Sequence, residues 1–203
     1  VSSAVLADDT TAAVVNSLVA NGSKAVVAPI KGFEELTANQ VSLYKNGTVV
    51  PAENYSVSID IENDKLTVTP SAAFDMGYYS IVIDKTATFY GTGELGADYA
   101  IDFKVVNEKG LVYKVEKSGN NVVFKYEKTG DAIPNAIMIV ASYINNGTKL
   151  EAATLSPDGS ISGEGTFTAA IPTGGETVKL MLWNSLTGLE PIIDDIDITT
   201  LVK

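Results

Sequence analysis

Apolar and polar residues alternate along most of this chain with a period of two. In "NYSVSIDI", Tyr55, Val57, Ile59 and Ile61 fall on one side, and Ser56, Ser58 and Asp60 on the other. "KLTVTP" continues the pattern with Leu66 and Val68. "YYSIVID" groups Tyr79, Ile81 and Ile83, and "DYAIDFKVV" groups Tyr99, Ile101, Phe103 and Val105. Such a period places side chains alternately on the two faces of a pleated strand, one face dry and one wet, as in antiparallel sheets. The turn chemistry agrees. Asn46-Gly47 and Asn146-Gly147 tolerate the positive φ of tight hairpins, and Pro157-Asp158-Gly159 marks another reversal. Helical candidates are short. "TTAAVVNSLVA" has helical spacing, but its β-branched content and the following Asn21-Gly22 favour a strand, and "FEELTANQ" is long enough for one turn. The pattern predicts an all-β chain.

Asn107, Glu108, Lys109 and Gly110 interrupt two apolar strands with turn-forming and charged residues. A boundary there divides the chain into 1–108 and 109–203. The expectation is two tandem antiparallel β-sandwich domains joined by a linker too short for free tumbling.

The segment "FDMGYYSI" makes the first of these domains immunoglobulin-like. Asp75, Gly77, Tyr79 and Ile81 spell D-x-G-x-Y-x-I. Immunoglobulin-type sandwiches carry a tyrosine corner at the start of the penultimate strand, where the hydroxyl bonds back to the backbone. Ile81 stands at the second core cysteine's place, which suits a disulfide-free version. The first half resembles the bacterial immunoglobulin-like domains of surface-layer and adhesin-type proteins, through "VSLYKNGTVVPAENYSVSID", "KLTVTPSAAFDMGYYSIVI" and "YAIDFKVV". The second half is similar to a module found in secreted Firmicute cell-surface and polysaccharide-acting proteins, through "IVASYINNGTKL", "GTFTAAI" and "VKLMLWNSLTGLEPI". It departs from that module at Asn184, where an aspartate is usual. Both resemblances imply an exported, extracellular or cell-surface, non-catalytic region without a transferable active site.

Composition narrows the chemistry. The chain contains no Cys and no His, and its fourteen basic residues are all Lys. Thiol chemistry and Cys or His metal sites are excluded, as are the commonest general base and the bidentate arginine clamp. The net charge of −11 disfavours nucleic acid, anionic membranes and acidic polysaccharides. The longest uninterrupted apolar run, "AIMIVA", has strand length, so no membrane span is expected. The chain opens at Val1 without a basic or hydrophobic leader, and a piece of a longer chain is expected.

Few residues are candidate sites. Trp183 lies on the outward side of "VKLMLW", with Lys179 and Met181. It is either an exposed platform for a sugar ring or, the favoured reading, an indole covered by Leu186, Leu189 and Pro191. Tyr90 and Tyr78, with Phe89, edge a glycine-rich segment, "TFYGTGELG", that could recognise a ligand. Packing of Phe89 beneath that loop is the plainer account. Its G-x-G-x-x-G spacing precedes a strand, so it cannot cradle phosphate at a helix start. Asp60, Glu62 and Asp64 at a hairpin tip are the candidate calcium oxygens, with Asp194, Asp195, Asp197, Asp8 and Asp9 elsewhere. None forms a calcium loop, and solvated outward carboxylates explain them. The N-x-S/T sites at Asn21, Asn46, Asn54 and Asn146 are mostly turn asparagines, and a Lys104–Asn107 crosslink has nothing to single it out. No metal and no cofactor is expected. The functional expectation is a non-enzymatic spacer or cell-adhesion module whose partner is a cell-surface protein or a neutral glycan. The alternative is a carbohydrate-binding accessory module of a polysaccharide-degrading enzyme.

Overall fold

The computed structural model describes residues 13–14, 18–20, 22–91 and 93–203. Asp8, Asp9 and Asn21 lie outside the described residues. The chain divides into two compact units, Val1–Val112 and Tyr113–Lys203, a division that falls just past the Asn107–Gly110 turn. In that turn Gly110 N–H donates to Asn107 O at 2.9 Å.

The first unit contains β1 (Ala13–Val14), β2 (Leu18–Ala20), β3 (Val26–Pro29), β4 (Phe33–Glu35), β5 (Val41–Lys45), β6 (Thr48–Val49) and β7 (Tyr55–Asp60). They are followed by β8 (Lys65–Pro70), β9 (Gly77–Ile83), β10 (Thr88–Phe89), β11 (Gly93–Glu94) and β12 (Tyr99–Val106). One sheet runs β1-β3-β8-β7 and a second β2-β12-β9-β5-β6. The antiparallel parts, β3-β8-β7 and β12-β9-β5-β6, follow the B-E-D and G-F-C-C′ orders of an immunoglobulin sandwich, while β1 and β2 add to β3 and β12 as parallel edge strands. A small third sheet, β11-β10-β4, pairs with neither, although its Phe33 and Phe89 join the same core.

The alternation in the sequence is what builds the layers. Val26, Val68 and Val57 share one row of the first sheet, and Ala28, Leu66 and Ile59 the next. Leu43, Ile81 and Ile101 form a row of the second sheet, beside Lys45, Tyr79 and Phe103. Val26, Ala28, Leu66, Val68, Leu43, Ile81 and Phe103 are buried in one cluster. Tyr55 ties the layers together: its hydroxyl donates to Val41 O and accepts from Leu43 N–H, each at 3.3 Å. "FEELTANQ" splits into β4 and a single 3₁₀ turn at Ala38–Gln40.

The strand β13 (Leu111–Ser118) begins at the end of the first unit and continues into the second, which also contains β14 (Asn121–Ile144), β15 (Lys149–Leu155), β16 (Gly159–Ala170), β17 (Thr177–Trp183), β18 (Ile196–Asp197) and a terminal turn, α1 (Thr199–Val202). Its centre is β14, 24 residues long. Residues Asn121–Lys128 pair with β16, while Ile137–Tyr143 pair with β17 and Ile139–Ile144 with β15. Between these stretches the ladder slips. Lys128 to Ile133 on β14 faces only Gly163 to Ile161 on β16, and such extra residues bend a strand. Gly130 and Asn135 take positive φ in this stretch, and Pro134 has no N–H to give the ladder. One strand therefore serves both layers. Val122, Phe124, Phe167 and Ala169 are buried on the first, and Met138, Val140, Leu180 and Leu182 on the second.

Among the described residues no helix is long and apolar enough to cross a membrane.

Candidate functional site

A polar cluster of the first unit forms where β9 begins. Tyr79 is inward-facing and only 6% exposed. Its ring stacks on Phe103 at 5.2 Å between centroids and meets Phe74 edge-on at 5.2 Å. Its hydroxyl donates to Asp75 O at 3.2 Å and Asp75 Oδ1 at 2.8 Å. Lys45 comes from the opposite hairpin. Its Nζ sits 2.5 Å from Asp75 Oδ2 and 5.8 Å from the centre of the Tyr79 ring.

The glycine of D-x-G-x-Y has a local cause. A Cβ on Gly77 would stand 3.1 Å from Lys45 Cε and 3.3 Å from Asn46 Oδ1, so a bare residue lets the lysine reach the aspartate. Asn46 joins the cluster as well. It takes φ +51°, its N–H donates to Tyr78 O at 2.7 Å, and its Oδ1 accepts from Tyr78 N–H at 3.0 Å.

The electrostatics follow from this packing. Burial pulls the Asp75 carboxyl upward, but hydrogen bonds from Lys45 and Tyr79, with the lysine charge, outweigh it and leave Asp75 below its ordinary value. Burial, the bond to Asp75 and the aspartate charge all push the Tyr79 phenol well above the ordinary tyrosine range. Asp75 accepts from both Tyr79 and Lys45, and the cluster braces a strand corner.

A second feature lies on the outer face of the same sheet. Tyr44, Ser80 and Asp102 are direct cross-strand partners on β5, β9 and β12, and Tyr78 and Lys104 pair in an adjacent outward row. With Val82 they line an open depression of about 420 Å³. Ser80 Oγ–H donates to Asp102 Oδ1 at 2.7 Å. Lys104 Nζ lies 6.0 Å from the centre of the Tyr78 ring. Tyr78 is thus one of several residues on a common face, which periodicity alone did not assemble.

The other candidates disperse. Tyr90 is 76% exposed, and its N–H donates to Gly32 O. Phe89 packs edge-on against Phe33 at 5.5 Å and closely over Gly32. Asp60 caps its own hairpin, accepting from Asn63 N–H at 3.1 Å and Asn63 Nδ2 at 2.8 Å. Asp64 takes φ +54° and its carbonyl accepts from Ile30 N–H. Among the described residues no three acidic side chains gather as a metal site. Asn107 Oδ1 accepts from the N–H groups of Lys109 and Leu111.

Trp183 is half-buried and packs, with Tyr143, on Ile139, Ala141 and Met181. The segment after it does fold back. Trp183 bridges Pro191, and Ile192 N–H donates to Leu182 O at 2.7 Å. The two leucines expected as a cover are themselves largely outside: Leu186 is 52% and Leu189 59% exposed. Hydrogen bonds hold this loop instead. Asn184 Nδ2 donates to Glu190 Oε2 at 3.0 Å, and Asn184 Oδ1 accepts from Glu190 N–H at 3.2 Å. An aspartate at 184 could accept but not donate, and would face the glutamate with like charge.

No family model and no curated protein matches the chain. Among solved structures, the teleost fish polymeric Ig receptor (pIgR) ectodomain aligns with 92% of this chain and 93% of its own at 12% identity, with a TM-score of 0.29. A likeness at that score adds nothing to the fold described above.

Proposed function

We propose that this chain is a non-catalytic module of an exported bacterial surface protein, acting as a spacer or adhesion segment. The observation that carries the reading is the brace at β9. A carboxylate, a phenol and an ammonium bond to one another there and close a corner of the sandwich, a structural use of groups that could otherwise serve an active site. The sequence resemblances to surface-layer and adhesin-type domains supply the exported setting, and the acidic surface keeps such a module dispersed.

The test is mechanical. Stretched between its ends in an optical trap, the chain should unfold in discrete cooperative steps, and Tyr79→Phe should lower the force of the step belonging to the first unit. Antibodies to the chain should label intact cells of the source organism. Gradual extension without a force barrier, labelling only after cell lysis, or hydrolysis of a polysaccharide by the purified chain would refute the reading.

The alternative, a carbohydrate-binding accessory module, is favoured by one observation: the tyrosine-lined depression on the outer face of the first unit.

A further inference from the structure

Outward positions on a sandwich strand are usually polar and face water. The outer face of β5, β9 and β12 is different. Tyr44, Tyr78, Ser80, Val82 and Lys104 are half-buried there, and Asp102 is exposed at the rim. The sheet register, not sequence proximity, gathers them. Tyr44, Ser80 and Asp102 lie on three neighbouring strands in one row, and Tyr78 and Lys104 lie in an adjacent outward row.

We infer that this depression binds a neutral saccharide. A pyranose ring has a face of C–H groups and a rim of hydroxyls. It calls for flat aromatic surface flanked by hydrogen-bonding groups, the pairing of apolar lining with a few placed polar groups found in small-molecule sites. Tyr44 and Tyr78 supply the aromatic surface. Asp102 supplies acceptors: an ionised carboxylate has about four lone-pair sites, and Ser80 occupies a place on Oδ1 at 2.7 Å. That bond also fixes the carboxylate's orientation. Lys104 Nζ lies over one face of the Tyr78 ring, 6.0 Å from its centre, and sets ammonium donors beside the aromatic surface.

Size and charge select the ligand. The depression holds about 420 Å³, within the roughly 300–1,000 Å³ of small-ligand pockets. It therefore suits a short stretch of glycan. The chain's net charge of −11 and Asp102 itself oppose uronic-acid or sulfated polymers. The inference rests on the adhesion reading for its setting and names what is adhered to.

The test uses the intact chain in pulldowns with insoluble cellulose, xylan, mannan and β-1,3-glucan. Titration calorimetry follows, with oligosaccharides of whichever polymer retains it. Retention on at least one is expected. Tyr78→Ala, Tyr44→Ala and Asp102→Asn should each weaken binding by about tenfold or more, the equivalent of about 1.4 kcal/mol, while Tyr90→Ala and Leu189→Ser bind as the parent does. Asp102→Asn keeps the side-chain shape and should keep the melting temperature, so it decides the matter if a tyrosine variant fails to fold. Retention on none of the four polymers, binding that survives Asp102→Asn unchanged, loss of binding through Tyr90→Ala, or retention only on a polyanion such as hyaluronan would overturn the proposal. Labelling of intact cells stands apart from these outcomes, so an adhesion module without this saccharide site remains distinguishable.

Discussion

Lys45 Nζ lies 2.5 Å from Asp75 Oδ2 although the two residues are 30 positions apart. The contact turns a two-residue tyrosine corner into a three-residue brace. The aspartate accepts from both neighbours, and the lysine stem crosses the bare Gly77 to reach it. The hairpin carrying Lys45 and the loop before β9 are therefore held by the same carboxylate.

Removing only the phenol oxygen isolates that brace. Tyr79→Phe keeps the ring packing on Phe103 and Phe74 and loses the donor. We expect a cost of about 1 kcal/mol, the usual net worth of a hydrogen bond, with no premium for the charged acceptor because the Asp75 side chain is 70% exposed. Calorimetry should show the first unit melting about 4–8 °C lower and the second unit unchanged.

The brace also sets a pH window. Asp75 is held below its ordinary 3.8, so its contribution is present above that value and is lost as pH falls through the lowered one. Tyr79 is raised above 10.0. It stays protonated in the fold after an unfolded-chain tyrosine has ionised, so stability of the first unit falls as pH rises past 10. The alkaline fall should be smaller in Tyr79→Phe. In the second unit, hydrogen bonds from Lys114 and then Lys125 hold Glu116 down from 4.5 to about 2. That contribution is present above 4.5 and fades towards pH 2. Melting curves against pH on Glu116→Gln should show a shallower acid limb for this unit.

Two glycines with similar backbones separate strain from crowding. Gly32 has φ +91°, and a Cβ there would stand 2.5 Å from Phe89 Cζ. Gly47 has φ +80° and nothing within 4 Å. Gly47→Ala should cost about 1 kcal/mol from the left-handed backbone alone. Gly32→Ala should cost about 3 kcal/mol, because the Phe89 ring must also move. Urea unfolding of the two variants measures the difference.

Asn184→Asp would restore the aspartate of the module that the second half resembles. It removes the donor to Glu190 Oε2 and sets two carboxylates together. At neutral pH the variant should lose about 1 kcal/mol, the scale of exposed charge effects. The loss should shrink as pH falls into the carboxylate range, which distinguishes repulsion from packing damage.

Trp183 is covered by less than its neighbours suggest. Trp183→Ala should cost about 2–3 kcal/mol, below the roughly 3–5 kcal/mol of a fully buried aromatic. The native indole fluorescence should be partly quenched by acrylamide, as a half-buried ring requires.

The strands were legible because burial on one face forces alternation, and in β9 every second residue from Gly77 to Ile83 is buried. The corner was legible because its residues lie within one short segment, Asp75 to Tyr79. What brings Lys45 to Asp75, or Tyr44 to Ser80 and Asp102, is lateral register, and a periodic pattern carries no information on which strand lies beside which. The Trp183 loop misled for another reason. Leu186 and Leu189 have the composition of a cover, but Asn184, Ser185 and Glu190 close the loop on itself by polar bonds and leave both leucines outside. In β14 a register slip absorbs Pro134 and Asn135, and the strand continues.

That uninterrupted strand makes its two layers a single thermodynamic object. Neither can melt alone, since peeling one away pulls on the same backbone that supports the other. A heat-capacity trace of the second unit should therefore show one peak with matching calorimetric and van't Hoff enthalpies, and a protease cut near Gly130 should abolish both layers together.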